Sequence, residues 1–378
     1  MRCFENYGSA VGLHMKLLLI FPNWLGRSGN YCHSAVLSLG HESHLVWGSD
    51  HDTLSFSGYF KDKARRFPYI KSVFTQRENK SFNTNITQKV KEIRPEIVIN
   101  NCPSLYFETI QTLKENSRCL VYWAGDDPTL FPNLMKTLHM YDFFFAGAPG
   151  WLQGNISAIR KKHNYYLPYG CDPDVFKRNT LTKREQKEYG SSISFVGARY
   201  SDREQILSKL TDMDIAIWGW KKDNYLRRVY RKIRGEQFNA LHDKYKTGAE
   251  LYIPTLNTSI RSAYIDNHTA NKIYNASSII LNLQHPQMLH AVNSKAFEIA
   301  AAGGFQLFQH SGNLLGLFQK DTEIICFSTI QELREQTLYF LNNPLEAEKI
   351  ASRARKRVLK EHTFKHRVES ILSTIGGC

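Results

Sequence analysis

The stretch NSKAFEIAAAGGFQLF, residues 293–308, contains a helix followed directly by a strand. We expect the helix to begin at Asn293 or Ser294. The alanines at 300–302 and the two glycines after them let that helix lie close against the strand at 305–308. A helix packed on the next strand is the repeating unit of an α/β sheet, so this stretch predicts the α/β class.

The same alternation of apolar runs and helical spacing extends along the chain in both directions. It stops once, at residues 166–174, where two Gly/Pro turns interrupt it, and then begins again. We therefore predict two doubly wound, Rossmann-like domains that face a central cleft, where ligands bind beyond the carboxyl ends of the strands. The predicted strands are 15–21, 44–47, 96–100, 118–123 and 141–145 in the first half, and 192–197, 213–218, 278–283, 304–308 and 323–327 in the second.

This pattern divides the chain into four segments. Residues 1–14 precede the first strand and are expected to be a mobile extension. Residues 15–170 form the predicted N-terminal domain and residues 171–355 the C-terminal domain. The helical tail has no strand after it, and we expect residues 356–378 to pack back across the pair.

Composition excludes several classes of protein. The chain has 378 residues, of which 42% are hydrophobic, so it is too long and too apolar for a disordered tail or a disulfide-stapled miniprotein. Its seven cysteines include no C-x-x-C pair, which argues against a zinc site. No apolar run reaches the roughly 18 residues that a membrane span needs. We expect a cytoplasmic protein, free or peripheral at the inner face of the membrane.

The charge is strongly basic, with 49 Lys and Arg against 35 Asp and Glu and a formal net charge of +14. Such a surplus suggests nucleic acid, anionic membrane or phosphate-bearing partners. Residues 221–246 carry +6 on a predicted amphipathic helix, and residues 345–375 carry +4. The first segment is either a solvated face or a surface for a membrane or a phosphate-rich glycan. We interpret the second as solvated surface.

One glycine-bearing loop follows the first predicted strand, at residues 22–30. Its glycines, Gly26 and Gly29, allow backbone N–H groups to approach an anion at the positive end of the following helix. The spacing is not G-x-G-x-x-G, so a plain strand-to-helix turn is an equally good interpretation.

A second loop of this kind follows the strand at 192–197 and places Gly197 before a helix start. Arg199 and Arg203 lie just beyond it, where they could meet a phosphate. Trp218, at the end of the next strand, lies where either the core or the cleft explains an aromatic side chain.

The helix quoted first brings a cation and a carboxylate to one face. Lys295 and Glu298 are three residues apart in its first two turns. A helix N-terminus, a lysine for phosphate and a carboxylate for sugar hydroxyls together suit a nucleoside diphosphate. The alternative is an ordinary Lys–Glu pair on a solvated surface.

The order of these segments resembles the GT-B glycosyltransferases of group 1 (family four), in particular the CgeB-type spore-maturation branch. The resemblance covers most of residues 15–375 and is strongest after Leu167. The segments that carry it are 121–128 (VYWAGDDP), 167–176 (LPYGCDPDVF), 194–197 (SFVG) with Arg203 and Glu204, 295–304, and 361–367 (EHTFKHR).

The resemblance implies roles in binding a nucleotide-sugar donor. Glu298 matches the second glutamate of the E-x7-E element, which holds the donor ribose, and Lys295 and Arg203 stand where basic residues meet the diphosphate. The first glutamate is replaced by His290, which leaves the contact with the donor sugar open. The predicted donor-binding residues are Gly26, Gly29, Gly197, Arg199, Arg203, Trp218, Lys295, Glu298 and Gly303.

It also implies a reaction. A sugar passes from a nucleotide-diphosphate sugar, UDP- or GDP-linked, to a hydroxyl on a glycan, lipid-linked or protein acceptor, with retention and without a cofactor or essential metal. The first domain is then the acceptor domain and the second the donor domain, as in polysaccharide biosynthesis. We predict Asp126, Asp127 and His290 as catalytic residues, with helix capping as an alternative for the aspartates.

Two other functions stay open at this point. A GT-B-like sugar-nucleotide epimerase has the same fold and a similar nucleotide site. A non-catalytic basic module for nucleic acid or membrane follows from the charge alone, although no nucleic-acid-binding motif is present, and we expect no nucleic-acid partner.

Overall fold

The structure is a computed structural model that divides into two compact units. The first is Met1–Leu167 with Phe364–Cys378, and the second is Pro168–Thr363. These boundaries lie three residues before and eight residues after the predicted 170 and 355. The residues described are 14–22, 28–48, 68–160 (backbone only over 68–77), 162–222, 256–288, 291–310, 312 and 314–376.

The first unit contains a six-stranded parallel sheet with the order β2-β1-β3-β4-β5-β6. Its central strands are buried over their whole length because helices cover both faces, which is why they read as continuous apolar runs. The strands are β1 Lys16–Phe21, β2 Glu42–Trp47, β3 Ile97–Asn100, β4 Cys119–Ala124, β5 Phe143–Ala146 and β6 Asn164–Tyr166.

Within the described residues, five α-helices of the first unit precede β6. The third of them illustrates their local origin, because its buried residues Thr109, Ile110 and Leu113 follow helical spacing and face the sheet. A short 3-10 turn at Pro128–Leu130 follows β4. The helices are α1 Ser28–Ser38, α2 Pro68–Ile93, α3 Phe107–Glu115, α4 Pro132–Thr137 and α5 Asn155–Ile159.

The second unit contains another six-stranded parallel sheet, with the order β12-β11-β10-β7-β8-β9. The chain runs outward from β7 to β9, returns to β10 beside β7 and runs outward again to β12, which is the doubly wound arrangement with its switch between β7 and β10. The strands are β7 Ile193–Val196, β8 Ile215–Trp218, β9 Ile260–Ser262, β10 Ile279–Asn282, β11 Gln306–Gln309 and β12 Ile325–Phe327.

The helices of the second unit pack around a core that includes Phe195, Leu281 and Leu307. The predicted helix start at Asn293 or Ser294 is confirmed, since Asn293 caps a helix whose first residue is Ser294. The helices are α6 Lys183–Tyr189, α7 Ser201–Leu207, α8 Leu256–Ser259, α9 Asn267–Ala276, α10 Ser294–Ala302, α11 Ile330–Asn342 and α12 Pro344–Glu361.

The last helix, α13 Phe364–Gly376, returns to the first unit. Phe364 packs with its ring centroid 5.4 Å from that of Tyr31 in α1 and 6.1 Å from that of Trp123 in β4. The change of unit occurs at the turn between α12 and α13, because apolar side chains after Thr363 face the first unit's core.

The segment that begins the second unit packs against the turn that ends it. A Cβ on Gly170 would lie 2.6 Å from the backbone oxygen of His362, so only glycine permits this approach. The amide of Cys171 donates to the same oxygen at 3.1 Å, and Cys171 forms a β-bridge with Thr363. Two segments that carried the family resemblance, 167–176 and 361–367, therefore meet in space.

The predicted α/β fold with two parallel sheets is confirmed, and every predicted strand is present. The strands β6 and β9 were not predicted, because these three-residue strands contain no apolar run. Within the described part of the chain, no helix is both long and apolar enough to cross a membrane. Residues 1–13 and all but Lys221 and Lys222 of the basic segment 221–246 lie outside the described residues.

Candidate functional site

The candidate site lies in the second unit, at the switch point between β7 and β10. The loops that follow these two strands meet the N-terminal end of α10 at the carboxyl edge of the sheet. In doubly wound sheets this edge, at the switch point, is where ligands bind. The side chains around this switch point are therefore the candidate ligand-binding groups of the second unit.

Arg203 joins the loops on either side of the switch point. Its two terminal nitrogens donate to the backbone oxygens of Ala198, after β7, and Leu283, after β10, both at 2.9 Å. The guanidinium lies over the rings of Phe195 and Tyr200, at 5.5 and 5.0 Å from their centroids. Only 7% of Arg203 is exposed, and its Nε has no partner among the described residues. Burial lowers its pKa.

Arg199 is held by a buried ion pair. Its Nε donates to the Glu204 carboxylate at 2.7 Å, with a second contact from Nη2 at 2.5 Å. The guanidinium lies 5.3 Å from the ring centroid of Trp220, whose indole N–H donates to the Gly197 oxygen at 3.0 Å. Two contacts to the same carboxylate oxygen hold the guanidinium in one orientation, so Arg199 shapes the loop more than it projects from it.

Two glycines allow the loops after β7 and β8 to touch. Gly219 has φ +95°, and a Cβ there would lie 2.9 Å from the backbone oxygen of Gly197. The Gly197 amide in turn donates to the Trp218 oxygen at 3.1 Å. This close approach needs glycine at 219, both for the conformation and for the space.

A cluster of five buried or half-buried carboxamides positions the N-terminus of α10. Asn293, the N-cap, accepts from the Ala296 amide at 3.1 Å, and its NH2 group donates to Asn282 and Gln284, both at 2.8 Å. Gln306 donates to the Ala296 oxygen at 2.9 Å and accepts from Asn282 at 3.0 Å. The carboxamide cluster is Asn282, Gln284, Asn293, Gln306 and Gln309.

The cation and the carboxylate of α10 lie on the turns that this cluster fixes. Lys295 and Glu298 are both half-buried. Burial lowers the pKa of Lys295, with Glu298 acting against that shift and Arg203 adding to it. Burial raises the pKa of Glu298, opposed by Lys295 and by a hydrogen bond from Ser294. The pair is thus poorly solvated, unlike an ordinary surface pair.

Tyr274 of α9 adjoins this pair. Its hydroxyl is buried and has no hydrogen-bond partner among the residues that the structure describes. Burial, together with Glu298, raises its pKa well above the ordinary value. A buried phenol without a partner is available to a ligand group that reaches it.

The arrangement can bind an anion. The first amides of a nine-residue helix, a half-buried ammonium group and the buried Arg203 supply positive potential at one edge of the sheet. Glu298 supplies an acceptor for hydroxyl groups beside it. Among the described residues, no three His, Cys, Asp or Glu side chains are grouped as metal ligands would be.

Two predicted donor residues lie away from this group. Trp218 is 5% exposed, packs against Tyr189 and donates to the hydroxyl of Ser194 at 3.3 Å, so it belongs to the interior. Gly303 is the left-handed cap at the opposite end of α10, about 13 Å along the helix from its start. These two predictions are corrected: the tryptophan at the Gly197 loop is Trp220, and Gly303 terminates the helix.

The predicted residues of the first unit have structural partners. A Cβ on Gly29 would lie 2.8 Å from that of Phe21, so this glycine lets α1 pack closely on β1. Asp127 is buried and caps the turn after β4 by accepting from the amide and hydroxyl of Thr129, at 3.0 and 2.7 Å. Asp126 beside it is exposed. Gly26 and His290 lie outside the described residues.

Comparison with known proteins agrees with this architecture. HepE of Anabaena, solved with UDP-glucose, aligns with a TM-score of 0.63 at 11% identity, covering 97% of this chain and 100% of that one. Sucrose-phosphate synthase of Thermosynechococcus elongatus aligns with a TM-score of 0.60 at 11% identity, covering 96% and 100%. At these identities the likeness shows the fold, which is GT-B.

The sequence matches are confined to part of the chain. Residues 203–373, which include α7 and α10, match the family described as glycosyl transferase-like. The chain is also 20% identical over 211 residues to the spore protein CgeB of Bacillus subtilis (strain 168). Over this part, the chain is similar to CgeB and to the glycosyl transferase-like family, and its fold is GT-B. This confirms the predicted resemblance, although the match spans 53% of this chain and 57% of CgeB.

Several residues of the candidate site are not predicted as site residues from the sequence. Glu204 belongs to a segment that carries the resemblance, and Tyr274 and the carboxamide cluster form no sequence motif. The cluster had one usable signal: Asn282, Gln284 and Gln309 are polar residues at or just beyond the carboxyl ends of β10 and β11. Polar side chains at that edge indicate a network or a ligand site.

Proposed function

We propose that this protein transfers a sugar from a nucleotide-diphosphate sugar, UDP- or GDP-linked, to a hydroxyl acceptor. The observation that carries the proposal is the half-buried Lys295–Glu298 pair at the N-terminus of α10, held by the carboxamide cluster. Half-burying an ammonium group and a carboxylate costs solvation free energy that exposed groups avoid. A ligand with a diphosphate and vicinal hydroxyls would recover that cost.

The difficult step in sugar transfer is departure of the nucleoside diphosphate. As the bond from the anomeric carbon to the diphosphate oxygen breaks, negative charge grows on the phosphate. In the proposed complex the first amides of α10 and the Lys295 ammonium group stabilise that charge. Arg203 is bound to two backbone oxygens, so it holds the loops in place and adds positive potential from behind.

Glu298 is proposed to accept hydrogen bonds from the donor ribose. A carboxylate with raised pKa is a stronger acceptor once it is ionised, and it loses that function when it is protonated. Lys295 opposes the effect of burial on the pKa of Glu298 and so favours its ionised form. The two residues thus act together, one on each part of the nucleotide.

We further propose that transfer needs no essential metal and retains the anomeric configuration. Metal independence follows from assigning the leaving-group charge to Lys295 and the helix amides. Retention rests on the resemblance to family-four enzymes. Asp126, exposed after β4, is proposed to orient or deprotonate the acceptor hydroxyl, whereas Asp127 already serves as a cap. His290 remains a proposed catalytic residue.

A thermal-shift screen against UDP-, GDP-, CDP-, dTDP- and ADP-sugars tests the proposal, because a ligand of the native state raises the melting temperature. We expect one class to bind, and Lys295→Ala with Glu298→Ala to weaken it at least about 100-fold, or about 2.7 kcal/mol. The matched control is Lys89→Ala with Glu92→Ala, another Lys–Glu pair at i, i+3, which is exposed on α2. Equal effects of the two double variants would contradict the proposal.

The products separate transfer from epimerisation, which the same fold supports. Incubation with the bound sugar nucleotide and no acceptor should leave the sugar unchanged, apart from slow hydrolysis. Formation of an isomeric sugar nucleotide in that reaction would replace the proposed transferase with an epimerase.

A further inference from the structure

A basic hollow lies on the second unit, at the C-terminal end of α10 and away from the candidate donor site. Its volume is about 510 Å³, and it is lined by side chains of α12 and by Arg178. Four of its six lining residues are cations, and among the described residues that line it there is no carboxylate. The lining residues are Arg178, Ser352, Arg355, Lys356, Leu359 and Lys360.

The end of α10 fixes both arginines. The Nε of Arg355 donates to the Ala301 oxygen at 3.1 Å, in the last turn of that helix. This bond does not use the terminal nitrogens of Arg355. Arg178 crosses Gly303, where a Cβ would lie 2.6 Å from its Nε. The absence of a side chain at 303 therefore makes room for Arg178, and two guanidinium groups are held beside the hollow.

The cations of the hollow differ from others on the same helix. Arg357 forms ion pairs with Glu323 and Glu361, and Lys360 lies 3.2 Å from Glu361. For Arg178, Arg355 and Lys356, the described residues include no ion-pair partner within 4 Å. Unpaired like charges around one concavity repel one another, and an anion placed among them removes that repulsion.

We propose that this hollow binds an anionic glycan, a saccharide chain that carries phosphate or sulfate groups. Its volume exceeds that of one phosphate, and a second hollow of about 340 Å³ shares Arg178 with it. The second hollow is lined by amide and hydroxyl groups, including Asn179 and Ser278, by one carboxylate, Glu348, and by buried apolar side chains such as Phe340. Cationic side chains in the first hollow and hydrogen-bonding groups in the second match a saccharide chain that carries both anionic groups and hydroxyls.

The surroundings favour a glycan over a membrane or nucleic acid. The apolar face of α12, including Ile350, Ala354 and Val358, is buried in its own unit and cannot enter a bilayer. The basic hollow has no aromatic side chain among its lining residues, whereas single-stranded nucleic acid binds by stacking on such side chains. The further step, that this glycan is the sugar acceptor, rests on the proposed transferase function. The binding of the glycan to the hollow does not.

Fluorescence anisotropy with a labelled sulfated hexasaccharide tests the proposal on the full chain. At low salt, Arg178→Gln with Lys356→Gln should weaken binding at least about fivefold and make the salt dependence shallower by one to two in log–log slope. The control, Lys187→Gln with Lys209→Gln, removes the same charge from exposed positions on α6 and just after α7 and should change affinity less than twofold.

Three results would overturn the proposal. The two double variants could weaken binding equally, which would make the interaction one of net charge. An uncharged hexasaccharide could bind equally well, or vesicles with 30% phosphatidylglycerol could bind through Arg178 and Lys356 while the sulfated glycan does not. The thermal shift produced by a donor sugar nucleotide should be unchanged in the hollow variant, so failure here and failure of the proposed donor site are told apart.

Discussion

The carboxyl edges of the two sheets use polar side chains in opposite ways. In the first unit, Asn100 binds the Cys102 backbone and the Tyr141 hydroxyl, and Asp127 caps the turn after β4. These polar groups form hydrogen bonds with neighbouring groups of the protein itself. In the second unit, neutral carboxamides do that work for α10 and leave Lys295 and Glu298 half-buried beside them.

This difference indicates which edge is prepared for a charged ligand. An edge whose polar groups are consumed by its own loops gains stability but offers few partners. An edge that keeps a cation and a carboxylate poorly solvated gains affinity when a ligand arrives, because the charges are already oriented. Substitutions at the second edge should therefore change donor affinity, whereas substitutions at the first edge should change stability alone.

The largest effect is expected in the carboxamide cluster. Asn282→Ala removes hydrogen bonds to Asn293 and Gln306 and leaves buried amide groups unpaired, so we expect a loss of about 3 kcal/mol in stability. Donor affinity should fall as well, because the N-terminus of α10 is no longer fixed. Thermal melting and donor titration measure the two effects. The exposed Asn342→Ala on α11 is the control, and an equal loss there would refute a special role for the cluster.

The close approach of the β7 and β8 loops gives the next largest effect. Gly219→Ala imposes a left-handed conformation on alanine and places its Cβ 2.9 Å from the Gly197 oxygen, which should cost about 2 kcal/mol. Gly40 in the first unit also has positive φ, +81°, but no atom lies within 4 Å of an added Cβ. Gly40→Ala should therefore cost about 1 kcal/mol, and only Gly219→Ala should reduce donor affinity.

The pH dependence of donor binding follows from Glu298. Its pKa is raised, so as pH falls it takes up a proton earlier than an ordinary glutamate and stops accepting from the ribose. We expect donor affinity to fall as the pH is lowered, starting at a higher pH than protonation of an ordinary glutamate would produce. Glu298→Gln should bind more weakly at pH 7.5 and lose this extra dependence, whereas Glu92→Gln on α2 should keep it. A dependence unchanged in Glu298→Gln would assign the titration to the nucleotide.

The smallest effect is expected at the first edge. Asp127→Ala removes a cap and should lower stability by about 1 kcal/mol, without changing donor affinity. Asp127→Asn keeps an acceptor oxygen and should recover most of that stability. If turnover fell more than tenfold in Asp127→Asn at unchanged stability, Asp127 would have a catalytic role and the contrast between the edges would weaken.

The fold could be predicted from the sequence because buried parallel strands form continuous apolar runs. Runs such as residues 17–21 are apolar throughout, since both faces of the strand are covered. The strand at Ile260–Ser262 contains no such apolar run, because it has only three residues. Gly303 is predicted to bind the donor, whereas its left-handed φ marks the end of a helix.

The candidate site was predictable only in part. Lys295 and Glu298 could be found because helical spacing places them on one face. Their burial could not, because it depends on chain segments that are distant in sequence. The same holds for Arg203, whose position in the helix suggests a phosphate contact while its partners, at Ala198 and Leu283, are backbone oxygens on either side of the switch point.

The bridge between Cys171 and Thr363 has a consequence for the order of synthesis. The second unit is inserted between β6 and α13, and its two ends lie side by side. During translation all of its residues are available once Thr363 has emerged, whereas the first unit still lacks the helix that packs on Tyr31 and Trp123. The unit that begins the chain is therefore the last to be completed.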